Sequence, residues 1–391
     1  MLEKNIEANT DLLSKFLETR QTSENLCAPL NIEDYIPQAV EFASPPKWHL
    51  AHVSWFFEEM ILKHFLPDYQ IFGEEYGFLF NSYYQTIGER ALRSQRGIIT
   101  RPTVDDVYEY RRHVDFHMTE LLSRSLSTEV IDLIVLGINH EQQHQELLLT
   151  DLKYVLNLNP TFPVYKDEAN LVDQENTEVG WLKLNQGLYD IGHKGDGFCF
   201  DNEMAPHKVY LQEFEISKGL VTNADYIEFI EAGGYQNFQY WLDEGWTWVQ
   251  SNNIEKPLYW CQKEGEWFYY TLAGLQAINP KAMLAHISYY EANAFAAWRG
   301  MRLPTEFEWE VSAKSFNWGQ RWEWTSSAYQ PYPAFNISDG AVGEYNGKFM
   351  VNQQVLRGGS PATQKGHSRI TYRNFFPADT QWQYSGIRLA K

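Results

Sequence analysis

Two histidines four residues apart carry the strongest chemical signal in this 391-residue chain: His140 and His144, in the run His140-Glu141-Gln142-Gln143-His144. On a helix that spacing puts both imidazoles on one face, at a separation suited to one shared metal ion. A second pair, His49 and His52 in WHLAHVSWFF, lies three residues apart on nearby helical faces. One ligand from there would complete a three-histidine set and leave coordination positions open. The simpler alternative is a solvated polar patch. Against it, the run interrupts an apolar helix, with IDLIVLGI before it and LLLTDL after, where polar groups buried without partners would be costly. The five residues also match H-E-x-x-H, in which the Glu is the general base of a zinc protease. Leu147, however, stands where the extended zinc-protease pattern has Gly. Three imidazoles suit zinc as well as iron, so the residues alone leave the metal open.

Four helices are expected to hold these side chains. The first runs from about Ile6 to Arg20, with Leu12, Leu13, Phe16 and Leu17 on one face. The second follows Pro45-Pro46, a favourable helix start, and ends before Pro67. The third is capped by Thr103 with Asp106 three residues on, and lines up Val104, Val107, Tyr110, Val114, Met118 and Leu121. The fourth spans Thr128 to about Leu156. With one long connection over residues 66–102, this pattern predicts a four-helix bundle in residues 1–165. An acidic, poorly periodic stretch, residues 166–180, reads as a linker. Residues 181–391 change texture: short strand-like runs (GLYDIG, HKVYLQEFEIS, GEWFYYTL) alternate with loops rich in Gly, Trp, Asn and Asp, and only 286–299 and 305–314 look helical. The expected fold class is therefore α plus α+β.

A net charge of −19 argues against nucleic acid or an anionic membrane surface as partner, since both need a basic face. Cys27, Cys199 and Cys261 are sparse, odd in number and form no CxxC pair, as expected of a reducing compartment. With no signal-like apolar segment at the start and no run approaching a membrane span, the expected location is the cytoplasm.

WHLAHVSWF, FNSYY, HEQQHQELL, HISYYEANAFAAWRGMRLPTEFEWE and YRNFFPADTQWQYSGIRLA, in that order, resemble the sulfoxide synthases of ergothioneine biosynthesis, the EgtB family. The resemblance spans nearly the whole chain. It implies an N-terminal DinB-like four-helix bundle and a C-terminal formylglycine-generating-enzyme-like domain of C-type-lectin type. The histidine-to-EWE run alone marks only the latter superfamily; its combination with HEQQH is far more specific. Formylglycine-generating enzymes work through a cysteine pair near the chain's end. The corresponding stretch here, GGSPATQKGHSRITYRNFF, has no cysteine, so that chemistry is excluded and the fold is expected to serve substrate binding.

By this resemblance, His52, His140 and His144 are the Fe(II) ligands, and His49 is a structural or supporting residue. The implied reaction joins a thiol to the imidazole carbon of hercynine with O2 and oxidises the sulfur. Tyr83 and Tyr84 of FNSYY are the candidate proton donors, Tyr84 ahead. Asn374, Phe375 and Phe376 correspond to the hercynine site, where aromatic faces stabilise a fixed cation, and Gln143 could reach the substrate ring. The thiol substrate's carboxylate calls for a guanidinium, for which Arg93 and Arg96 are favoured over Arg90 and Arg101. Members that take γ-glutamylcysteine carry an acidic residue after the asparagine–aromatic pair and an arginine shortly beyond. Here Phe376 occupies the first place and no arginine falls around Asp379–Gln381, a pattern closer to members that take free cysteine. Alternatives left open are a sister enzyme making a histidine or selenium conjugate, a zinc thiol transferase or hydrolase on the same bundle, and a non-catalytic binding module.

Overall fold

The computed structural model describes residues 2–84, 88–337 and 341–391, and the chain divides into two compact units, Met1–Pro160 and Thr161–Lys391. The first unit is built on four long helices: α1 (Leu2–Cys27), α2 (Pro46–Phe57), α3 (Val104–Leu122) and α4 (Thr128–Asn157). α1 continues well past Arg20 because its inward face there is polar: Thr19, Arg20 and Ser23 are buried and bonded to other helices, which a reading of apolar periodicity does not register. α2 starts with Pro46 at its first position and buries all twelve of its residues. It continues through a π-helical turn, Glu58–Leu62, and Lys63–Phe65 before the chain turns. α3 opens on the expected capping box: Asp106 N donates to Thr103 Oγ1 (3.2 Å) and Thr103 N to Asp106 Oδ2 (2.8 Å). α4 is capped by Ser127, whose hydroxyl accepts from Val130 N.

Gly137 sets how closely α4 approaches α2. A Cβ there would lie 2.5 Å from Phe57 Cε1 and 3.2 Å from Phe56 Cε1. Both rings are fully buried, and Phe57 is wedged edge-on against Phe16 at 5.0 Å, so neither can yield. Gly137→Ala is therefore expected to destabilise the bundle by about 1–3 kcal/mol despite alanine's better helix propensity. Urea titration measures this directly; a more stable variant would contradict the close-approach argument.

The long connection between α2 and α3 carries a short helix, Tyr76–Phe80, and a 3-10 turn, Arg93–Ile98. The FNSYY segment follows that short helix and is pinned by buried Asn81: its Oδ1 accepts from Tyr84 N (3.2 Å), and its Nδ2 donates to the carbonyls of Tyr84 (3.0 Å) and Gly88 (3.2 Å).

In the second unit the strands are β1 (Trp181–Leu184), β2 (Gly187–Ile191), β3 (His207–Leu211), β4 (Phe214–Ser217), β5 (Trp260–Lys263), β6 (Glu266–Thr271), β7 (Gly274–Ala277), β8 (Trp322–Ala328), β9 (Gln354–Gly358), β10 (Asn374–Phe376) and β11 (Ser385–Gly386). They form small sheets: β1 with β4, β2 with β3, β5-β6-β7, and a mixed sheet ordered β10-β9-β8-β11. The run HKVYLQEFEIS is thus two strands that pair with different partners. Helix α5 (Asn223–Glu231) is followed by α6 (Asp243–Asn252), α7 (Tyr289–Trp298) and α8 (Glu306–Ser312). α7 begins after His286 because Ser288 caps it in a box with Glu291, while His286 takes a left-handed backbone (φ 64).

Residues 166–180, expected as a linker, belong to the second unit and are bonded into it. Tyr165 N and Lys166 N donate to Leu272 O, Glu175 bridges Ala282, and the buried Arg321 guanidinium donates to Val172 O and Gln174 Oε1. Acidic composition hid this because the contacts run through backbone carbonyls, which sequence pattern does not reveal.

The alternating glutamates of TEFEWE are anchors. Glu306 takes a two-point pair from buried Arg373 (2.8 and 2.9 Å), Glu308 takes Arg302 and closes the α8 cap, and Glu310 takes buried Arg357 and the backbone N–H of Gly192. Glu323 on β8 likewise takes Arg388. Glu306, Glu310 and Glu323 each tie a helix or strand to an arginine far along the chain, whereas Glu308 acts locally.

Candidate metal centre

α2 supplies His52, and α4 supplies His140 and His144 one turn apart. Each ring offers one nitrogen to a common locus, and these three atoms lie within 4.8 Å of one another. Ring centroids are 4.6–5.0 Å apart. His52 and His140 are buried and His144 is half-buried. The walls are aromatic: Trp48 and Trp55 stack on His52 (4.5 and 5.4 Å), and Phe56 stacks on His140 (4.6 Å).

Burial controls the charge of these rings. Desolvation, reinforced by His140 nearby, holds His52 well below the usual imidazole pKa. Desolvation lowers His140 to about 3, although Glu141 opposes it. His144 is likewise held well down by desolvation, then by His140 and His52. Neutral imidazoles are the form that binds metals. His52 Nδ1–H donates to Phe80 O at 2.6 Å, so Nε2 carries the lone pair, and that buried atom has no hydrogen-bond partner. An unpaired buried acceptor is costly; a metal ion at the three-nitrogen locus would satisfy it. The donor set fits a divalent ion that accepts imidazole, iron among them.

Glu141 points elsewhere. Its carboxylate accepts from Arg20 Nη1 (2.9 Å), Ser23 Oγ (2.6 Å) and Arg111 Nη2 (3.3 Å), all buried. Burial would raise its pKa, but Arg20 and Arg111 outweigh that and lower it. A carboxylate engaged in this way is not the general base that H-E-x-x-H requires of a protease. Arg20 also reaches Asp115 on α3 (2.6 Å) and Ser54 on α2 (2.7 Å), so one guanidinium joins all four helices. Ser54 is two residues from His52, and Glu141 adjoins His140. The polar knot therefore fixes the register in which the three imidazoles meet. Arg20 and Arg111 went unnoticed in the sequence; the only cue was arginine inside otherwise helical, part-apolar stretches.

Around the cluster, Tyr84 is fully buried, its ring against Trp55 at 5.5 Å, with its hydroxyl 3.5 Å from that of half-buried Tyr83. Gln143 is half-buried beside His144 on α4. The two favoured arginines separate. Arg93 is exposed and donates to Phe42 O. Arg96 is 5% exposed, packs on Trp48 at 3.3 Å from the ring centroid, and donates to Ser44 Oγ (2.7 Å) and Ser82 Oγ (3.0 Å). Its Nε has no acceptor, and among the described residues it makes no ion pair. Burial and neighbouring Arg93 hold its pKa well below the usual value.

In the second unit Asn374, Phe375 and Phe376 form β10, which Arg373 anchors to Glu306. Alternation along a strand puts Asn374 and Phe376 on one side and Phe375 on the other. Phe375 stacks between aromatic neighbours, Tyr329 at 4.0 Å and Phe349 at 5.9 Å, while Phe376 meets Trp382 edge-on at 6.4 Å. The three are thus two groups with different surroundings.

Comparison with known proteins matches residues 15–148 to the DinB superfamily and residues 168–321 to the sulfatase-modifying factor enzyme 1-like domain. Over 89% of its length the chain is 26% identical to a hercynine oxygenase of Mycolicibacterium smegmatis, covering 91% of that protein. A hercynine oxygenase of Mycobacterium tuberculosis is 27% identical over 65% of the chain and 70% of its own length. A formylglycine-generating enzyme of Streptomyces coelicolor is 29% identical, over 37% of the chain and 50% of that enzyme. No helix among the described residues is long and apolar enough to cross a membrane.

Proposed function

Because the chain joins a DinB-superfamily domain to a sulfatase-modifying-factor-like domain and is similar over most of its length to a hercynine oxygenase, we propose that it is an oxygen-dependent oxidoreductase of ergothioneine biosynthesis: an Fe(II)-dependent sulfoxide synthase joining cysteine to hercynine. The observation that carries this reading is the convergence of three neutral imidazoles, one with an unpaired buried nitrogen, inside the DinB-like unit. His52, His140 and His144 would hold the iron, which supplies the activation of O2 and of the thiol.

The remaining roles belong to the chain's own side chains. Three uncharged imidazoles would leave the charge of a bound divalent ion uncompensated, so the site would favour an anionic thiolate over water. The aromatic walls exclude water and stiffen the ligand rings. Buried Arg96, without a carboxylate of its own, is assigned to the carboxylate of the thiol substrate, and exposed Arg93 to a supporting positive field. Asn374 and Phe376 are assigned to hercynine, Phe375 to the stack that stiffens β10, and Gln143 to the substrate ring. Tyr84, held in place by Asn81, is assigned the proton delivered to oxygen, with Tyr83 as its hydrogen-bond partner. Cysteine is the expected thiol, because Phe376 stands where γ-glutamylcysteine users carry an acid.

The test loads the protein with Fe(II) under anaerobic conditions, supplies hercynine with either cysteine or γ-glutamylcysteine, admits O2, and reads product masses. A product from cysteine carrying one added oxygen is expected, with little from γ-glutamylcysteine. Tyr84→Phe should lower turnover by about 10²–10⁴-fold, the usual worth of a positioned proton donor, with substrate affinity retained. Activity with zinc in the absence of O2 would discard the reading in favour of a transferase or hydrolase, and equal use of both thiols would discard the cysteine preference.

A further inference from the structure

We infer that His49 and Asp151 are positioning residues which decide the ring nitrogen that His144 presents to the metal; this rests on reading the three histidines as a metal site. His49 Nδ1 lies 2.9 Å from His144 Nδ1, and His49 Nε2 lies 3.0 Å from Asp151 Oδ2. The same carboxylate oxygen accepts the backbone N–H of Ser44 at 2.8 Å. His49 and Asp151 are both buried. Asp151 sits two turns beyond His144 on α4, so the two share a helical face and His49 closes the gap from α2.

The order of hydrogens follows from what each atom can do. Oδ2 of Asp151 is an acceptor, as its bond from Ser44 requires, so the hydrogen between it and His49 belongs to His49 Nε2. A neutral imidazole with its hydrogen on Nε2 offers Nδ1 as an acceptor. His144 must then donate through Nδ1–H, which leaves its Nε2 with the lone pair. An unconstrained imidazole in water favours the opposite arrangement, with hydrogen on Nε2, and a ring in that form cannot bind a metal through that atom. His52 reaches the same state by a different route, through Phe80 O. For His144 the neighbouring carbonyls of α4 are engaged in the helix, and the Asp151–His49 pair takes their place.

The experiment follows imidazole nitrogens by long-range ¹H–¹⁵N NMR in the metal-free full chain labelled at histidine, and titrates wild type and variants with Co(II), whose visible absorption reports binding. Wild-type His144 should show Nδ1–H with a bare Nε2. His49→Phe, which keeps the ring volume but cannot accept, should move the hydrogen to Nε2 and weaken Co(II) binding by about 10–100-fold. His49→Gln, whose carbonyl can accept from His144 while its amide donates to Asp151, should restore both signals. Hydrogen on Nε2 of wild-type His144 overturns the inference without recourse to any variant. So does His49→Phe with unaltered Co(II) affinity. A wild type with the expected hydrogen on Nδ1 that binds neither Co(II) nor Fe(II) would instead overturn the metal reading and leave the positioning result standing.

Discussion

His140→Ala should leave a folded protein that no longer retains Fe(II) and makes no sulfoxide product. His140, the proposed ligand that stacks on Phe56, completes a near-equilateral triangle with His52 and His144, at ring separations of 5.0 and 4.6 Å. With it gone, two imidazoles remain, and loss of a direct ligand should exceed the roughly 10–100-fold cost of losing a partner behind one. Thermal unfolding separates metal loss from misfolding. Fe(II) at a hundred times its Kd should stabilise wild type by about 2.7 kcal/mol and the variant by nothing measurable. A variant that keeps iron and turnover would remove the three-histidine centre as the site of reaction.

Glu141→Ala should act through stability. It strips a carboxylate from Arg20 and Arg111, both buried, and leaves Asp115 as the remaining carboxylate on Arg20 and the distant edge of Glu24 (3.4 Å) as that on Arg111. Breaking a buried pair by removing one partner costs about 3–5 kcal/mol, a large fraction of a domain's total of about 5–15. Chemical denaturation should show this loss with or without metal. Were Glu141 a proteolytic base, stability would hold and only hydrolysis would vanish. The same groups dictate acid sensitivity. The Glu141 carboxyl is lowered in the fold, so its contribution is complete above the ordinary carboxylate range and is lost as pH falls through its folded value. The lowered imidazoles of His52, His140 and His144 act with the same sign from higher pH: below about 6.5 the unfolded chain takes protons that the fold refuses. Metal-free stability should therefore decline from near pH 6.5 downward; a protein most stable at pH 4 would contradict this.

The chain itself declared its helices wherever apolar spacing, prolines and caps agreed: Pro46 starting α2, the Thr103–Asp106 box, and the apolar flanks of HEQQH. It failed where the inward face is polar, as along Thr19–Ser23, because a buried arginine and a solvated one look alike in a string of letters. Residues 166–180 likewise belong to the second unit through hydrogen bonds to and from backbone carbonyls that no composition reveals. By spacing alone His49 and His52 were equivalent candidates, and only the family resemblance favoured His52. Packing separated them: Phe80 O takes the Nδ1 hydrogen of His52 and exposes Nε2, whereas His49 spends both nitrogens on His144 and Asp151.

By itself, then, the sequence determined that two imidazoles would share a helical face within an apolar bundle, because residue spacing on a helix is periodic and local. Why His52 rather than His49 keeps a nitrogen for the shared locus, which arginine makes no ion pair among the described residues, and where Glu141 points were decided only by tertiary structure. Those outcomes depend on side chains dozens of residues apart competing for the same buried hydrogen bonds, and that competition exists only once the helices are packed.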